Sequence, residues 1–346
     1  MNNSSYVANS VRDRDYIRDR IGNYLRIVGD YHPDNTIVSY VKYFPSPIGR
    51  RIIDGKKYGY NSFVSKSFII LKNEKDRMIF SNRHGGIITS TPKDQISEFY
   101  SCRNKINEIF CNKELYLSHS VGKHLIRFLY DVSSIVNINS LGITGSFLID
   151  AQRESSDIDL VCYGKDAYSA LFDYFQNNRI IQKYEGDLAI ELFNRRMIHM
   201  AAMDFDTLIL QESRKMQGII AGTKIHINCQ PLRDSDDTFM DIQMLEIGEI
   251  SCVICITDDQ QGMFSPAYYG IEVLSIVDGI FNDVAFKKDI TVLLSFIGAF
   301  SQSFKNGDRV FVEGKLVRIV KNEKITFGIE LSPWNTNRTF KAILLR

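Results

Sequence analysis

Residues 140–164 read SLGITGSFLIDAQRESSDIDLVCYG, and this stretch decides the fold that we expect for the chain. An apolar segment runs into Gly145 and Ser146, and eleven residues after Ser146 comes Asp157, followed by Asp159. The apolar and β-branched residues that follow predict a strand beginning between the two aspartates. The stretch therefore predicts a strand, a loop, and a second strand that starts with two acidic residues.

The chemistry of this segment points to a metal and a phosphate. Asp157 and Asp159 are two positions apart on a strand, so their carboxylates face the same side. Neighbouring carboxylates repel each other unless a cation lies between them, and hard oxygen ligands suit Mg²⁺ or Mn²⁺. Gly145 lets a phosphate approach the backbone, and Ser146 offers a hydroxyl and an amide at a helix start. We expect a site that holds a metal-bound triphosphate for in-line attack on phosphorus.

Gly145-Ser146, followed by the run SDIDL at residues 156–160, resembles the signature of the DNA polymerase β-type nucleotidyltransferase superfamily. The wider chain resembles a group of predicted nucleotidyltransferases found largely in archaea, which pair a β-rich N-terminal segment with this core and a C-terminal β domain. The resemblance implies a short mixed sheet with flanking helices, two divalent ions, and transfer of a nucleotidyl group from a nucleoside triphosphate (NTP). The acceptor would be an RNA end, a protein hydroxyl or a small molecule.

A third carboxylate is the part of the superfamily pattern that we do not find. It usually comes from a later strand, completes the second metal site and takes the proton of the attacking hydroxyl. The later strand is expected at residues 224–229, where the alternating positions hold His226 and Asn228, and His226 lies where we expect the carboxylate. Either neutral His226 serves as base or ligand, or a carboxylate comes from elsewhere, or the second metal is lost. The candidates from elsewhere are Asp204, Asp206 and Asp234, the first two being expected primarily as helix caps.

Basic side chains are candidates for phosphate contacts. Arg153 lies in the loop of the signature, and we group it with Gly145 and Ser146 as the expected nucleotide-binding set, a solvated surface position being the alternative. Superfamily members often supply phosphate-binding groups from later helices, where this chain has basic pairs at 195–196 and 214–215. The interleaved Arg and Asp residues between positions 12 and 20 are expected to form a solvated strand or arm and not a nucleic-acid grip, because their charges cancel.

Three parts are expected along the chain, giving a mixed α+β and α/β fold. Residues 1–90 form a β-rich domain, residues 91–246 the nucleotidyltransferase core with preceding helices, and residues 247–346 a small, OB-like β-barrel. The first part contains a hairpin, and residues 63–71 and 78–81 are possible further strands. Helical spacing begins near residue 92, and a second helix is expected over 118–135. The tail strands are expected at 250–257, 268–277, 290–296, 309–319, 325–331 and 340–345.

Composition and charge limit the class of protein and the cellular location that we expect. The chain has 346 residues and a net charge of +1, with an excess of basic residues over 1–135 and of acidic residues over 136–246. That acidic middle suits a metal-binding core. The six cysteines are scattered, and the pair at 252 and 255 has no second pair to complete a zinc site. We see no secretory signal and no apolar run long enough for a bilayer, so we expect a cytoplasmic protein without a membrane partner.

Three functions remain open at this point. The first is a Mg²⁺-dependent nucleotidyltransferase, with Asp157 and Asp159 as metal ligands and catalytic residues alongside His226. The second is a degenerate core that binds a nucleotide or RNA without transfer, which the missing third carboxylate favours. The third is an antitoxin-like partner of a second protein, because minimal nucleotidyltransferases often occur in pairs.

Overall fold

The computed structural model describes residues 11–197, 203–234, 242–279, 287–334 and 341–345. The chain divides into two compact units, each made of separate stretches. The first unit takes residues 1–77, 89–183 and 216–235, and the second takes residues 78–88, 184–215 and 236–346. The three parts expected from the sequence are consecutive stretches, whereas each of these units combines stretches that are distant in the chain. The three-part division stays a prediction.

Eight strands of the first hundred residues form one sheet. They are β1 (Tyr16–Asp19), β2 (Tyr24–Ile27), β3 (Thr36–Pro45), β4 (Arg51–Ile53), β5 (Lys56–Tyr60), β6 (Met78–Ser81), β7 (Gly86–Pro92) and β8 (Ile96–Tyr100). Their order is β4-β5-β3-β2-β1-β8, and β7 pairs with both β6 and β3. The expected hairpin is confirmed, because β2 and β3 are antiparallel with Leu25 opposite Val41.

Two expectations for this region are wrong. Within 63–71 the chain forms a short helix, α1 (Ser67–Ile70), and no strand. The hydroxyl of Ser67 is buried and accepts hydrogen bonds from the Val41 backbone (3.1 Å) and the Asn61 amide (3.3 Å), which holds the chain in a turn. Residues 96–100 form β8, and helical structure starts only at Cys102, because pairing of Phe99 with Ile17 overrides the helical spacing.

A five-stranded mixed sheet carries the signature. Its strands are β9 (Leu141–Ile143), β10 (Ile158–Tyr163), β11 (Ile181–Gln182), β12 (Gln217–Ile220) and β13 (His226–Leu232). The order is β11-β12-β13-β10-β9, with β10 parallel to β13 and the other pairs antiparallel. The helices of this unit are α2 (Cys102–Cys111), α3 (Lys113–Leu117), α4 (Ser120–Ser133) and α5 (Lys165–Asn177). The coarse expectation of a short mixed sheet accompanied by helices is confirmed.

Helix α4 matches the helix expected over 118–135. Its apolar stripe of Val121, Leu125, Phe128 and Leu129 is buried, as the helical spacing predicted. Within the described ranges, none of the helices combines the length and the apolar character needed to cross a bilayer.

Among the described residues, the second unit contains a ring of strands and the helices α6 and α7. They are α6 (Asp187–Arg196), α7 (Phe205–Ser213), β14 (Gln243–Gln261), β15 (Ala267–Gly279), β16 (Ile290–Ser295), β17 (Arg309–Lys321), β18 (Lys324–Leu331) and β19 (Lys341–Leu345). The pairing β14-β15-β16-β18-β17 closes because β17 also pairs with β14, and β16 is parallel to β18. All six tail strands expected from the sequence are present, although position 340 lies outside the described residues. Cys252 is buried on β14 and Cys255 is half-buried there, both as free thiols.

Candidate functional site

Strand pairing brings the two halves of the signature together. Ile143, the last residue of β9, lies opposite Leu160 of β10. The next residue, Thr144, donates its backbone N–H to the carbonyl oxygen of Asp159 at 2.9 Å. Gly145 therefore follows directly beside the acidic end of β10.

Gly145 is required at its position for two independent reasons. Its φ of +66° lies in the left-handed region, which a side chain disfavours. A Cβ atom there would also lie 2.2 Å from Oδ2 of Asp159, well inside contact distance. The backbone of Gly145 thus packs against the carboxylate, as expected if glycine is needed for close approach at this point.

Ser146 begins a short helical turn, as the sequence predicted. It has helical dihedral angles, and a 3-10 turn follows at Phe147–Ile149. Its carbonyl oxygen accepts the backbone N–H of Ala151 at 2.8 Å, which closes the loop behind the turn. The residue itself is buried.

Asp157 and Asp159 lie on one polar side of the sheet. Both are half-buried, whereas Ile158 between them is fully buried. On the neighbouring strand β13, His226 and Asn228 are half-buried in the same alternating manner. Since alternate residues of a strand share a face, the carboxylates and the β13 side chains form one polar surface.

Asn228 is the residue of β13 that lies opposite Asp159. The two are register partners, and Asn228 Nδ2 donates a hydrogen bond of 2.6 Å to Asp159 Oδ1. Continuing the register by one residue places His226 beside Asp157. The position opposite Asp159 therefore carries an amide that is hydrogen-bonded to Asp159. His226 lies two residues earlier on β13, opposite Asp157.

The three acidic residues considered as replacements lie at the following places in the fold. Asp204 is the N-cap of α7 and accepts the Thr207 backbone N–H at 2.9 Å, which confirms the expected cap. Asp206 lies in the first turn of the same helix. Asp234 contacts Gly164, the residue that follows β10, and so lies at the opposite end of that strand from Asp159.

The donor set suits one divalent ion and falls short of two. Among the described residues, no three His, Cys, Asp or Glu side chains come together as a metal-binding group. A Mg²⁺ ion in a nucleotide site takes one or two carboxylates and completes its shell with phosphate oxygens and water. Asp157 and Asp159 are the side chains that could supply those two carboxylates, to Mg²⁺ or to Mn²⁺.

The basic residues considered for phosphate binding lie in different parts of the fold. Arg153 is exposed, and its backbone bonds with Ser156 (2.8 and 2.9 Å) close the loop locally. The basic residues of the later helices engage acidic partners within the second unit. These ion pairs are Arg196–Glu212 (2.8 Å), Arg214–Asp308 and Lys215–Glu212.

Arg14 is a candidate that the sequence interpretation missed. Its φ is +71°, an uncommon value for arginine that the surrounding hydrogen bonds maintain. Its carbonyl oxygen accepts the Thr144 hydroxyl at 2.8 Å and the Cys102 thiol at 3.1 Å. Its guanidinium donates to Gln230 Oε1 at 3.0 Å, on the polar face of β13. Arg14 thus connects the N-terminal segment to the residue before Gly145 and to strand β13.

The expectation of a solvated strand or arm at positions 12–20 is wrong about solvation, although residues 16–19 form a strand. Asp13, Asp15 and Asp19 are buried, and only Arg20 of the basic residues is exposed. Burial raises the pKa of Asp15 to about 7, although the backbone N–H groups of Arg12 and Cys102 donate to it. A segment of alternating charges is exposed only when no residue distant in the sequence packs against it. The local sequence does not show whether such a partner exists.

Comparison with known proteins adds a distant relative. The chain is 24% identical over 326 residues to an uncharacterized protein of Methanocaldococcus jannaschii, and the match covers 90% of this chain and 92% of the relative. No protein-family profile matches the chain, and no solved structure matches it. The function therefore has to be argued from the site.

Proposed function

We propose that this protein is a Mg²⁺-dependent nucleotidyltransferase with a polymerase β-type core, which transfers a nucleotidyl group from an NTP to an acceptor hydroxyl. The contact between Gly145 and the carboxylate of Asp159 carries the proposal. A phosphate held at the Gly145-Ser146 backbone and a cation held by Asp157 and Asp159 would be immediate neighbours. A metal–triphosphate complex requires its phosphate and its cation to lie next to each other.

The reaction follows from these roles. The acceptor oxygen forms a bond to the α-phosphorus of the NTP, the bond from that phosphorus to the bridging oxygen breaks, and pyrophosphate leaves. Mg²⁺, when bound by Asp157 and Asp159, supplies positive charge against the phosphate oxygens. Backbone groups at Gly145 and Ser146 orient the phosphate. Neutral His226 accepts the proton of the acceptor hydroxyl, because the Asn228 amide is no base near neutral pH.

We assign the C-terminal ring to the OB-like class and the acceptor to RNA. The support is the strand order, a closed ring of five with one parallel pair between β16 and β18. Barrels of this class bind oligonucleotides through their strands and loops. The assignment rests on architecture alone, so a protein or small-molecule acceptor is the alternative outcome of the experiment below.

A degenerate core that binds a nucleotide without transfer is the second candidate. Asn228 favours it, since a neutral amide occupies the position opposite Asp159 and donates to that carboxylate. A chain with this arrangement retains one cation site and loses the usual second one. Such a protein would sense or present a nucleotide or RNA, or act as an antitoxin-like partner.

Label transfer separates the two candidates. The full-length protein is incubated with each α-labelled NTP, with Mg²⁺ or Mn²⁺, and with cellular RNA and protein in separate arms. We expect labelled RNA from the wild type, no label from Asp157→Asn, and unchanged labelling from Asp166→Asn, which removes an exposed carboxylate on α5. Label in the protein arm alone would move the acceptor to protein. Nucleotide binding without transfer under every condition would replace the enzyme with the degenerate core.

A further inference from the structure

A row of tyrosine and basic side chains crosses the N-terminal sheet. Arg26 on β2 lies opposite Tyr16 on β1 and opposite Tyr40 on β3, so the three share one face. Lys42 is the extra residue of a bulge in β3, since Tyr43 and Val41 pair with consecutive residues of β2. Bulges commonly redirect a side chain next to a functional site.

The cations of this row rest on aromatic rings instead of on carboxylates. The Arg26 guanidinium is 6.0 Å from the centre of the Tyr40 ring, and Lys42 Nζ is 5.8 Å from the same ring and 4.5 Å from the Tyr60 ring. Within the part of the chain that the structure describes, neither cation forms an ion pair with an acidic residue. Both are half-buried, Asp13 and Asp159 act on Arg26 from beyond ion-pair distance, and burying such charges without a close counterion is costly.

Arg14 adds a third positive charge. Its Nε has no hydrogen-bond partner among the described residues, and its ion pair with Asp13 is long, at 3.7 Å. Burial and the neighbouring Arg26 lower the pKa of Arg14 to about 10, while Asp13 and Asp159 act in the opposite direction. We call Arg14, Arg26 and Lys42 the cation cluster.

The pKa of Tyr40 reflects the excess of positive charge around its hydroxyl. Burial alone would raise the pKa of this phenol, but Arg26, Lys42 and Arg14 outweigh burial and lower it. The cations therefore favour a negative charge at the point where the Tyr40 hydroxyl lies. The same cluster neighbours the signature, because the Arg14 carbonyl oxygen accepts the hydroxyl of Thr144, the residue before Gly145.

We propose that the cation cluster is a polyphosphate subsite that holds the terminal phosphates of the NTP bound at Gly145-Ser146. The assignment rests on the proposed function for the position of the nucleotide. A single carboxylate would balance one of the three cations, whereas a polyphosphate carries enough charge for all three. Guanidinium groups bind phosphate oxygens in paired hydrogen bonds.

Metal-free binding tests the subsite apart from any transfer. Isothermal titration calorimetry measures tripolyphosphate, ATP and AMP against the full-length wild type, Arg26→Gln and Lys42→Gln. We expect each substitution to weaken tripolyphosphate and ATP about tenfold, the effect of losing one charged hydrogen bond, and to leave AMP unchanged. The matched control is Arg20→Gln, an exposed arginine just after β1, which should bind all three probes like the wild type.

The pattern across probes distinguishes a phosphate contact from a structural role. Equal tripolyphosphate and ATP affinities in the wild type and both variants would overturn the subsite. So would losses that are as large for AMP as for ATP, because a structural defect affects every nucleotide. Cluster-dependent binding of tripolyphosphate without ATP would reassign the site to inorganic polyphosphate and so overturn its link to the nucleotide.

Failure of the subsite and failure of the proposed function give different results. If label transfer occurs while the variants bind all three probes normally, only the subsite is wrong. If transfer never occurs but tripolyphosphate and ATP binding depends on Arg26 and Lys42, the proposed enzyme is wrong and the subsite stands. Should Arg26→Gln fail to fold, Lys42→Gln carries the same comparison across the three probes.

Discussion

The ring of strands in the second unit and the N-terminal sheet of the first bury their side chains in opposite ways. The ring has an apolar core with residues such as Ile254, Val312 and Leu331. The N-terminal sheet buries the ion pair Arg77–Asp19 at 2.8 Å, with side chains only 2% and 0% exposed. Apolar alternation builds the first kind of interior, whereas the second kind depends on particular partners far apart in the sequence.

The largest expected effect on stability concerns the buried ion pair. Arg77→Met leaves Asp19 buried without its cation and should lower the free energy of unfolding by about 3–5 kcal/mol. In the ring, Ile254→Val removes one methyl group and should cost about 0.5–1.5 kcal/mol. Urea unfolding measures both.

A surface ion pair provides the control for Arg77. Arg18 pairs with Glu98 at 2.9 Å, where the Glu98 side chain is 47% exposed, so Arg18→Met should cost under about 1 kcal/mol. Equal losses of unfolding free energy for Arg77→Met and Arg18→Met would contradict the claim that the buried ion pair of the N-terminal sheet stabilises the fold more than a surface pair does.

The next effect concerns the glycine of the signature. Gly145→Ala adds a side chain against Asp159 and should reduce nucleotidyl transfer about a hundredfold, the scale of a displacement of about one ångström at a reacting centre. Gly222→Ala is the matched control, because Gly222 also has a positive φ, +75°, but has open space around its Cβ position. Both variants carry the backbone strain, of about 1–2 kcal/mol, and only Gly145→Ala should lose activity. Similar transfer rates in the two variants would contradict the role given to the Gly145 contact.

A smaller effect is expected from adding an acidic group opposite Asp159. Asn228→Asp replaces the amide opposite Asp159 with a carboxylate, so a bound cation gains one negative charge. We expect Mn²⁺ to bind about tenfold more tightly, as one extra charge near the surface warrants. Without metal, the three carboxylates repel each other and the variant should be less stable. Unchanged Mn²⁺ affinity would show that position 228 lies outside the reach of the ion.

Glu330 is the polar exception in the ring and gives the smallest effect. Neither carboxylate oxygen has a hydrogen-bond partner among the described residues, and burial raises its pKa from 4.5 to about 8. Between these values the folded state holds a proton that the unfolded state has released, so stability falls as pH rises. Glu330→Gln stays neutral and should flatten that decline in urea unfolding. Glu313→Gln, at a surface pair with Lys341, should keep it; an identical decline in all three proteins would contradict the assignment.

The sequence predicts those parts of the molecule that local pattern determines. The six tail strands follow from alternation, and the Gly145-Ser146 turn with the acidic start of β10 follows from a short signature. The short strand β8 was missed because its pairing with β1 joins residues 16–19 to residues 96–100. Tertiary pairing of this kind overrides local propensity.

The residues of the candidate site also differ in whether the local sequence reveals them. Asp157, Asp159 and Gly145 lie within fifteen residues and are visible as a motif. Arg14 joins them only through hydrogen bonds to Thr144 and Gln230, across 130 and 216 positions. Its positive φ and its orientation have no local sequence signal, so only the folded chain reveals them.

Binding of Mn²⁺ in the presence of ATP tests the central claim most directly. Electron paramagnetic resonance measures free and bound Mn²⁺ for the wild type and for the Asp157→Asn, Asp159→Asn double variant, each with and without ATP. We predict that ATP strengthens Mn²⁺ binding to the wild type and that the double variant loses this strengthening. Binding that is undiminished in the double variant would contradict a metal–nucleotide site at the acidic end of β10.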